Sequence, residues 1–231
     1  NGVGRGMSGC KAICLVSRPS VRQIVPMHDA DEQAAKRIIS LYEEKAQSWS
    51  ELRGRDPTLE EHWLTRFEKG LGASATILDF GVGNGYPIAA ALIEHGHQIV
   101  GIDTAESLIR EAAANLPDGE WHVADMRDYQ HSPRFDGLIA WHSFFHLTKN
   151  DQRKMFTRFA SFVRPGGKLM FTTGSQEAVT IGDWEGEPLF HASLSQDEYK
   201  SLLNTVGFVV VYAKDSDPET GGATVWLARR S

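Results

Sequence analysis

The stretch Ile77-Leu78-Asp79-Phe80-Gly81-Val82-Gly83-Asn84-Gly85 carries a strand-length apolar run straight into a turn with glycine at every second position. Glycine reaches positive φ and lets a ligand approach the backbone, and a helix opening after such a turn offers free N–H groups. Asp103 ends the next apolar run, 18 residues beyond Gly85, where a carboxylate can accept both hydroxyls of an adenosine-type ribose. The pattern predicts a nucleotide-type site; the plain alternative is a tight strand-to-helix turn followed by a strand-end acid. Dinucleotide sites share this layout, but the fingerprint GxGxxG needs glycine where this chain has Tyr86. Asp79 places a second carboxylate beside the turn, which would repel a pyrophosphate and attract a ligand ammonium.

A second cluster reads Ala140-Trp141-His142-Ser143-Phe144-Phe145-His146-Leu147. An unperturbed histidine titrates near neutral pH, so His142 and His146 are general-base candidates. Either one can instead serve only to hydrogen-bond a backbone carbonyl, with positioning alone driving the reaction. His191, in Glu187-Pro188-Leu189-Phe190-His191, is a third candidate. An aromatic ring such as that of Trp141 can face a ligand cation, a contact worth about 0.5–2 kcal/mol. Phe145 and Leu147 either line a pocket or fill the core. The segment Trp184-Glu185-Gly186-Glu187-Pro188 reads as a turn inside a small β excursion, whose acids are solvated or attract a cationic acceptor.

These residues need a scaffold. Ala35, Ile38, Ile39, Tyr42, Ala46 and Trp49 recur at helical spacing and predict one amphipathic helix over 31–49, with a second over 58–70. Strand-length apolar runs then alternate with helical segments, as buried parallel βαβ units require. Strands are expected at 76–80, 98–103, 120–125, 135–141 and 168–173. A helix opens near Pro87 and closes at Gly96, and another covers 151–163. Ser195 and Glu198 form a capping box before a further helix. Two last strands, at 208–212 and 224–228, are joined by a short turn with Pro218, Gly221 and Gly222, too little chain for a helical crossover, so they pair antiparallel.

From about Tyr42 onward the chain resembles the class I S-adenosylmethionine-dependent methyltransferases of small molecules. Asp79-Phe80-Gly81-Val82-Gly83-Asn84-Gly85 is similar to the first motif of that superfamily, Asp103 to its ribose-binding acid, and Asp125-Met126 to its adenine-contacting pair. Arg164-Pro165-Gly166-Gly167 is similar to the loop before strand five, and the final strand pair to its reversed hairpin. The resemblance implies an α/β, Rossmann-like, doubly wound seven-stranded sheet in the order 3-2-1-4-5-7-6, strand 7 antiparallel, with helices on both faces. It implies S-adenosylmethionine as cofactor and S-adenosylhomocysteine as product. The acceptor is then an oxygen or nitrogen, carboxylate included, of a small molecule. The cofactor contacts it implies are Tyr42, Trp49 and Arg53 from the helix before strand one, Asp79, the backbone of Gly81, Gly83 and Gly85, then Asp103, Asp125, Met126 and Trp141. Core packing accounts for Tyr42 and Trp49 as well. The Asp/Asn-Pro-Pro-aromatic signature of enzymes that methylate amino groups of bases or glutamine is missing after strand four. No compact carboxylate cluster follows that strand, so no metal is expected. Two other functions stay open: a non-catalytic S-adenosylmethionine-binding module acting through a partner, and an NAD-dependent oxidoreductase.

With 231 residues, 41% hydrophobic and 23% charged, the chain suits one α/β domain. That domain is expected over 29–231, as a helical cap (29–72) on a Rossmann-like core (73–231). The net charge of −6 gives no overall field for a polyanion, which argues against nucleic acid as a partner. No apolar run nears the ~20 residues that span a bilayer. The two cysteines, Cys10 and Cys14, lack the partners of a disulfide framework or zinc site, which fits a reducing, cytoplasmic setting. Residues 1–28 carry Arg5, Lys11, Arg18 and Arg22 with no acid before Asp29. Such an extension reads either as an organellar presequence or as chain preceding a start at Met27, and is assigned no function. Oligomeric state is not legible.

Overall fold

The computed structural model describes residues 29–231; residues 1–28, with Cys10, Cys14 and Met27, lie outside the described residues. Helices α1 (Asp29–Glu44), α2 (Ala46–Arg53) and α3 (Glu61–Glu68) precede β1 (Thr76–Phe80), α4 (Ile88–Glu94), β2 (Gln98–Asp103), α5 (Glu106–Asn115), β3 (Glu120–Val123) and β4 (Phe135–Ala140). A single turn of 3-10 helix (Phe144–His146) leads to α6 (Lys149–Phe162) and β5 (Val163–Thr173). The hairpin β6 (Ala178–Trp184) and β7 (Glu187–Ser193) comes next, then α7 (Gln196–Thr205), β8 (Phe208–Asp217) and β9 (Ala223–Arg230).

The main sheet has the order β3-β2-β1-β4-β5-β9-β8, and β6-β7 form a separate two-stranded sheet. Strands β1 to β5 pair in parallel, while β9 runs antiparallel to both β5 and β8. This is the expected order, once the extra hairpin is counted. Both faces are covered, so the strands are apolar on both sides. Leu78, Phe80, Leu138, Leu169, Phe171 and Trp226 face a core closed by α6 and α7, whereas Ile77, Ile139, Met170, Val225 and Leu227 face one closed by α3 and α4. The buried Lys168 Nζ donates to the carbonyls of Arg66 and Lys69 and ties the C-terminal end of α3 to β5.

Several boundaries differ from expectation, among them the end of β8, which runs on to Asp217. The single helix over 31–49 is two, because the chain turns at Lys45 (φ −102°, ψ 11°). Ala34, Ile38 and Leu41 pack on Leu189, Phe190 and Ala192 of β7, whereas Ala46 packs against Ala105 and Leu108, with Trp49 against that cluster; one straight rod cannot serve both. Strand β5 starts at Val163 rather than Lys168: Phe135 pairs with Val163 and Gly137 with Lys168, and the intervening Arg-Pro-Gly-Gly forms an irregularity with Gly166 at φ 82°. Strands β3 and β4 stop at Val123 and Ala140. Asp125 accepts the Arg127 N–H at 2.8 Å to make a turn, and His142 sits at φ 49°. Among the described residues no helix is long and apolar enough to cross a membrane.

At Gly137 a Cβ would stand 2.4 Å from Cζ of Phe67, so α3 seats on the sheet only because this position is bare. Gly137→Ala is expected to destabilise the fold by about 1–3 kcal/mol in urea unfolding, and adding Phe67→Leu to recover part of that loss.

Candidate active site

The parallel strands end together around a cavity of about 410 Å³, within the range of small-molecule pockets. It opens where the strand order turns from β1 outward to β2 and to β4, the place at which open α/β sheets bind ligands. Strand β1 delivers Asp79, 3% exposed, and β2 delivers Asp103. The latter's Oδ2 accepts the Gly83 N–H at 3.0 Å and its Oδ1 the Ala105 N–H at 2.9 Å, which locks the glycine turn to the end of β2. Burial, and Asp103 beside it, push the Asp79 carboxyl up to about 7 against the opposing pull of Arg53. Burial also raises Asp103, opposed by its backbone donors. Arg53, 8% exposed at the end of α2, pairs with the buried Glu60 at 2.7 Å.

The glycine turn differs in one respect from expectation. Its N–H groups are spent inside the protein: Gly81 on the Ile102 carbonyl (2.8 Å), Gly83 on Asp103, and Gly85 on the Val82 carbonyl (3.2 Å). The three glycines, at φ 75°, 60° and 86°, supply close approach instead of free donors. A Cβ at Gly81 would strike Ser143 at 2.3 Å, at Gly83 the Trp49 ring at 2.3 Å, and at Gly85 the Leu116 side chain at 2.5 Å. Gly81 borders the cavity, Gly83 lies under Trp49, and Gly85 seats α5.

Tyr42, Trp49, Arg53, Asp125, Met126, Trp141, His142 and His146 all line the cavity. Asp125 is less free than expected, because Arg127 grips it through Nε and NH2 at 2.5–3.0 Å and holds its carboxyl below the usual range despite burial. The ring of His142 lies against Trp141 and Phe145, and the backbone N–H of His142 donates to Thr172 Oγ1 at 2.8 Å. Two buried side-chain atoms here, Trp141 Nε1 and His142 Nδ1, have no hydrogen-bond partner. A positive φ at a bulky residue and orphaned polar atoms are features that native structures concentrate at ligand sites.

His146 holds the site together. Its Nδ1 lies 2.8 Å from the Phe190 carbonyl and its Nε2 2.8 Å from the Tyr42 hydroxyl. A carbonyl only accepts, so Nδ1 carries the proton and Nε2 takes the hydrogen bond from tyrosine. His191 does not border the cavity; its ring packs behind, 4.8 Å from that of His146 and 5.0 Å from that of Phe145. The acids of the β6–β7 turn bind neighbours rather than facing an acceptor. Glu185 takes Lys45 at 2.9 Å together with the Ser48 hydroxyl, and Glu187 lies 3.8 Å from Arg37. Sequence reasoning missed the roof contributed by Glu32, Lys36, Ile38 and Ile39, and the rim residues Arg127 and Asp151. The helical spacing of Ala35, Ile39 and Tyr42 marked the face but not what it covers.

Outside this site, His62, Asp217 and Glu219 bring possible metal-ligand atoms within 4.8 Å of one another. Asp217 is already taken by Lys214 and by Trp63 Nε1, both at 2.8 Å, so packing alone accounts for the group.

The comparisons with known proteins agree with this geometry. Residues 77–167 match a family model described as a methyltransferase domain. An uncharacterized methyltransferase of Geobacillus kaustophilus is 29% identical over 103 residues, 43% of this chain and 46% of that protein. A ubiquinone biosynthesis O-methyltransferase of Coxiella burnetii is 30% identical over 42% of each chain. The chain thus matches about half the length of these curated relatives. The Burkholderia thailandensis 1,6-didemethyltoxoflavin-N1-methyltransferase, solved with S-adenosylhomocysteine, superposes with a TM-score of 0.67 at 19% identity, over 92% of this chain and 94% of the other. Magnesium protoporphyrin IX methyltransferase from Synechocystis, solved with S-adenosylmethionine, gives 0.67 at 15% identity over 86% and 97%. The architecture is the α/β Rossmann-like methyltransferase fold. The domain matched over residues 77–167 and the fold are both those of methyltransferases.

Burial depresses His142 to about 3, helped by Arg53 and His146, and His146 to about 4 against the Phe190 carbonyl, which opposes the shift. Both stay neutral in the fold while an unfolded chain protonates them below 6.5. Below that pH the unfolded state binds the extra protons, so stability is full above about 6.5 and falls as pH drops toward 4. Each group adds a slope of up to about 1.4 kcal/mol per pH unit. The raised Asp79 carboxyl acts in the opposite sense over the same range, so the test is a difference: in thermal melts from pH 7 to 4.5, His142→Asn is expected to lose less stability with falling pH than wild type.

Proposed function

We propose that the protein transfers the methyl group of S-adenosylmethionine to an oxygen or nitrogen of a small molecule and releases S-adenosylhomocysteine. The carrying observation is the donor set gathered at the ends of β1 and β2: the buried carboxyl of Asp79 and the half-buried one of Asp103, with the Arg53 guanidinium close enough to act on Asp79. An amino-acid tail joined to a ribose matches that set. Arg53 and the orphaned Trp141 Nε1 suit its carboxylate, Asp79 its ammonium, and Asp103 the ribose hydroxyls. Leu108, Ala124 and Met126 offer apolar walls for an adenine. A pyrophosphate would meet Asp79 and Asp103 instead of free N–H groups, which disfavours a dinucleotide.

When bound, the cofactor supplies an electrophilic methyl carbon on a sulfonium. The chain's own residues do the rest. Tyr42, Ile38 and Ile39 roof the cavity, and the Trp141–His142 corner, with neutral rings, forms a wall that suits a neighbouring cation without charge repulsion. Methyl transfer is an in-line displacement, so holding the acceptor on that line and excluding water supplies most of the rate. The ubiquinone biosynthesis O-methyltransferase and the 1,6-didemethyltoxoflavin-N1-methyltransferase among the similar proteins are named for different acceptor atoms, which supports leaving both oxygen and nitrogen in the proposal.

Calorimetric titration with S-adenosylhomocysteine tests the site. Micromolar binding is expected in the wild type and its loss in Asp103→Ala; no binding by folded wild type overturns the proposal. The Asp79 carboxyl, raised to about 7, must ionise to hold the ammonium. Affinity is therefore expected to fall about tenfold per pH unit below 7 and level off above it. Asp79→Asn should bind weakly and without that slope.

A further inference from the structure

Three chain segments distant in sequence meet at the His146 ring. Tyr42 comes from α1, His146 from the turn after β4, and the Phe190 carbonyl from β7. The ring is 9% exposed, its Nδ1 proton is held by Phe190, and its Nε2 lone pair points at the hydroxyl of Tyr42, a residue that lines the cavity. The Tyr42 ring is fixed edge-on to His146 (centroids 5.3 Å) and against Trp184 (5.2 Å). Gln152, fully buried, donates to the carbonyls of Leu147 (2.9 Å) and Ala192 (2.7 Å), so the two backbones flanking His146 hold a set spacing.

We infer that Tyr42 and His146 form a proton relay in which the Tyr42 hydroxyl touches the acceptor and His146 Nε2 takes the proton, and that the acceptor is a phenolic hydroxyl. The inference rests on the methyltransferase reading above and narrows its acceptor. The acceptor oxygen's lone pair forms the new C–O bond as the methyl C–S bond breaks with its electron pair going to sulfur. The acceptor proton passes to Tyr42 Oη while tyrosine's own proton passes to His146 Nε2. The imidazolium keeps its Nδ1–H on Phe190 and returns one proton to solvent after product leaves. A relay that removes one proton serves an acceptor that arrives protonated, which a carboxylate does not.

The base need not be strong. As the C–O bond forms, the oxygen gains positive charge and its proton becomes strongly acidic, so placement matters more than basicity. A phenol meets this demand more easily than an alkanol because its proton is already the more acidic. The α1 face above Tyr42, with Ala35, Ile38 and Ile39, gives an aromatic body an apolar roof, and Leu147 adds a wall. His142 and His191 lack this geometry. No partner fixes the tautomer of His142 through its orphaned Nδ1, and His191 lies off the cavity.

The test uses the full chain with S-adenosylmethionine and three phenols: catechol, 4-nitrophenol and a hydroxylated quinol. Wild type is expected to form S-adenosylhomocysteine with at least one. Tyr42→Phe should lower kcat by about 10²-fold or more while S-adenosylhomocysteine affinity stays within about twofold. Adding His146→Gln should cost little beyond the single change, because the two act as one unit. Nitrogen-15 NMR of histidine-labelled wild type should show His146 at pH 7 protonated on Nδ1 and bare on Nε2, a signature independent of turnover and of variant folding. A protonated Nε2, an unchanged kcat in Tyr42→Phe, or a wild type that binds S-adenosylhomocysteine but turns over no phenol overturns the relay. Failure of wild type to bind S-adenosylhomocysteine overturns the underlying reading instead.

Discussion

The structure depends on keeping two carboxyl groups, Asp79 buried and Asp103 half-buried, side by side at the ends of adjacent strands. Water is scarce around both, and Asp103 disfavours ionisation of Asp79. Such a pair persists only with compensation, since an unpaired buried charge costs several kcal/mol. Asp103 obtains it from the Gly83 and Ala105 N–H groups. That bond also sets the path of the glycine turn. Asp79 gets only the field of Arg53, and its raised pKa records the shortfall. In the proposed function a ligand ammonium at Asp79 removes the imbalance, so the constraint that shapes the turn also bears on the ligand.

Around this charged floor the rest of the cavity is assembled from pieces outside the parallel sheet. Helix α1 lies on the β6–β7 hairpin through Ile38, Leu41, Leu189 and Phe190, and Glu185 fastens the hairpin tip to Lys45 and Ser48 on the far side of the α1–α2 turn. The exposed ion pair contributes little energy by itself, on the order of 1 kcal/mol or less. The apolar contact sets the position, and the charges fix its register. His146 and Gln152 then tie this roof to the turn after β4. On the proposed function, a cofactor site built on strand ends and an acceptor site built on added elements can vary independently, and one fold can then serve many acceptors.

Much of the sheet was readable from period and length alone. The runs at 76–80 and 98–103 end where expected because each is apolar on both faces and is closed by a turn or a strand-end acid. The limits of β3, β4 and β5 were not readable. They depend on the Asp125 turn, on the left-handed backbone of His142 and on the irregular pairing at Arg164–Gly167, all products of neighbouring strands. The break at Lys45 escaped for a related reason: the helical spacing runs on through it, and only two separate packing surfaces demand the turn.

By itself the sequence determined the order of strands and helices, the glycine turn, and the acids Asp79, Asp103 and Asp125 that close the strand runs or follow them. Those are local properties, set by residue type and spacing within a few turns of chain. It put His142 and His146 ahead of His191 as candidate bases without choosing between the first two. Tertiary structure decided that the glycine N–H groups are spent internally, that Glu185 and Glu187 bind the cap, that His191 stands behind the cavity, and that Tyr42 meets His146 across 104 positions of sequence. Hydrogen bonds between distant segments leave no periodic trace in the chain, because their partners are chosen by how the elements pack and not by the residues beside them.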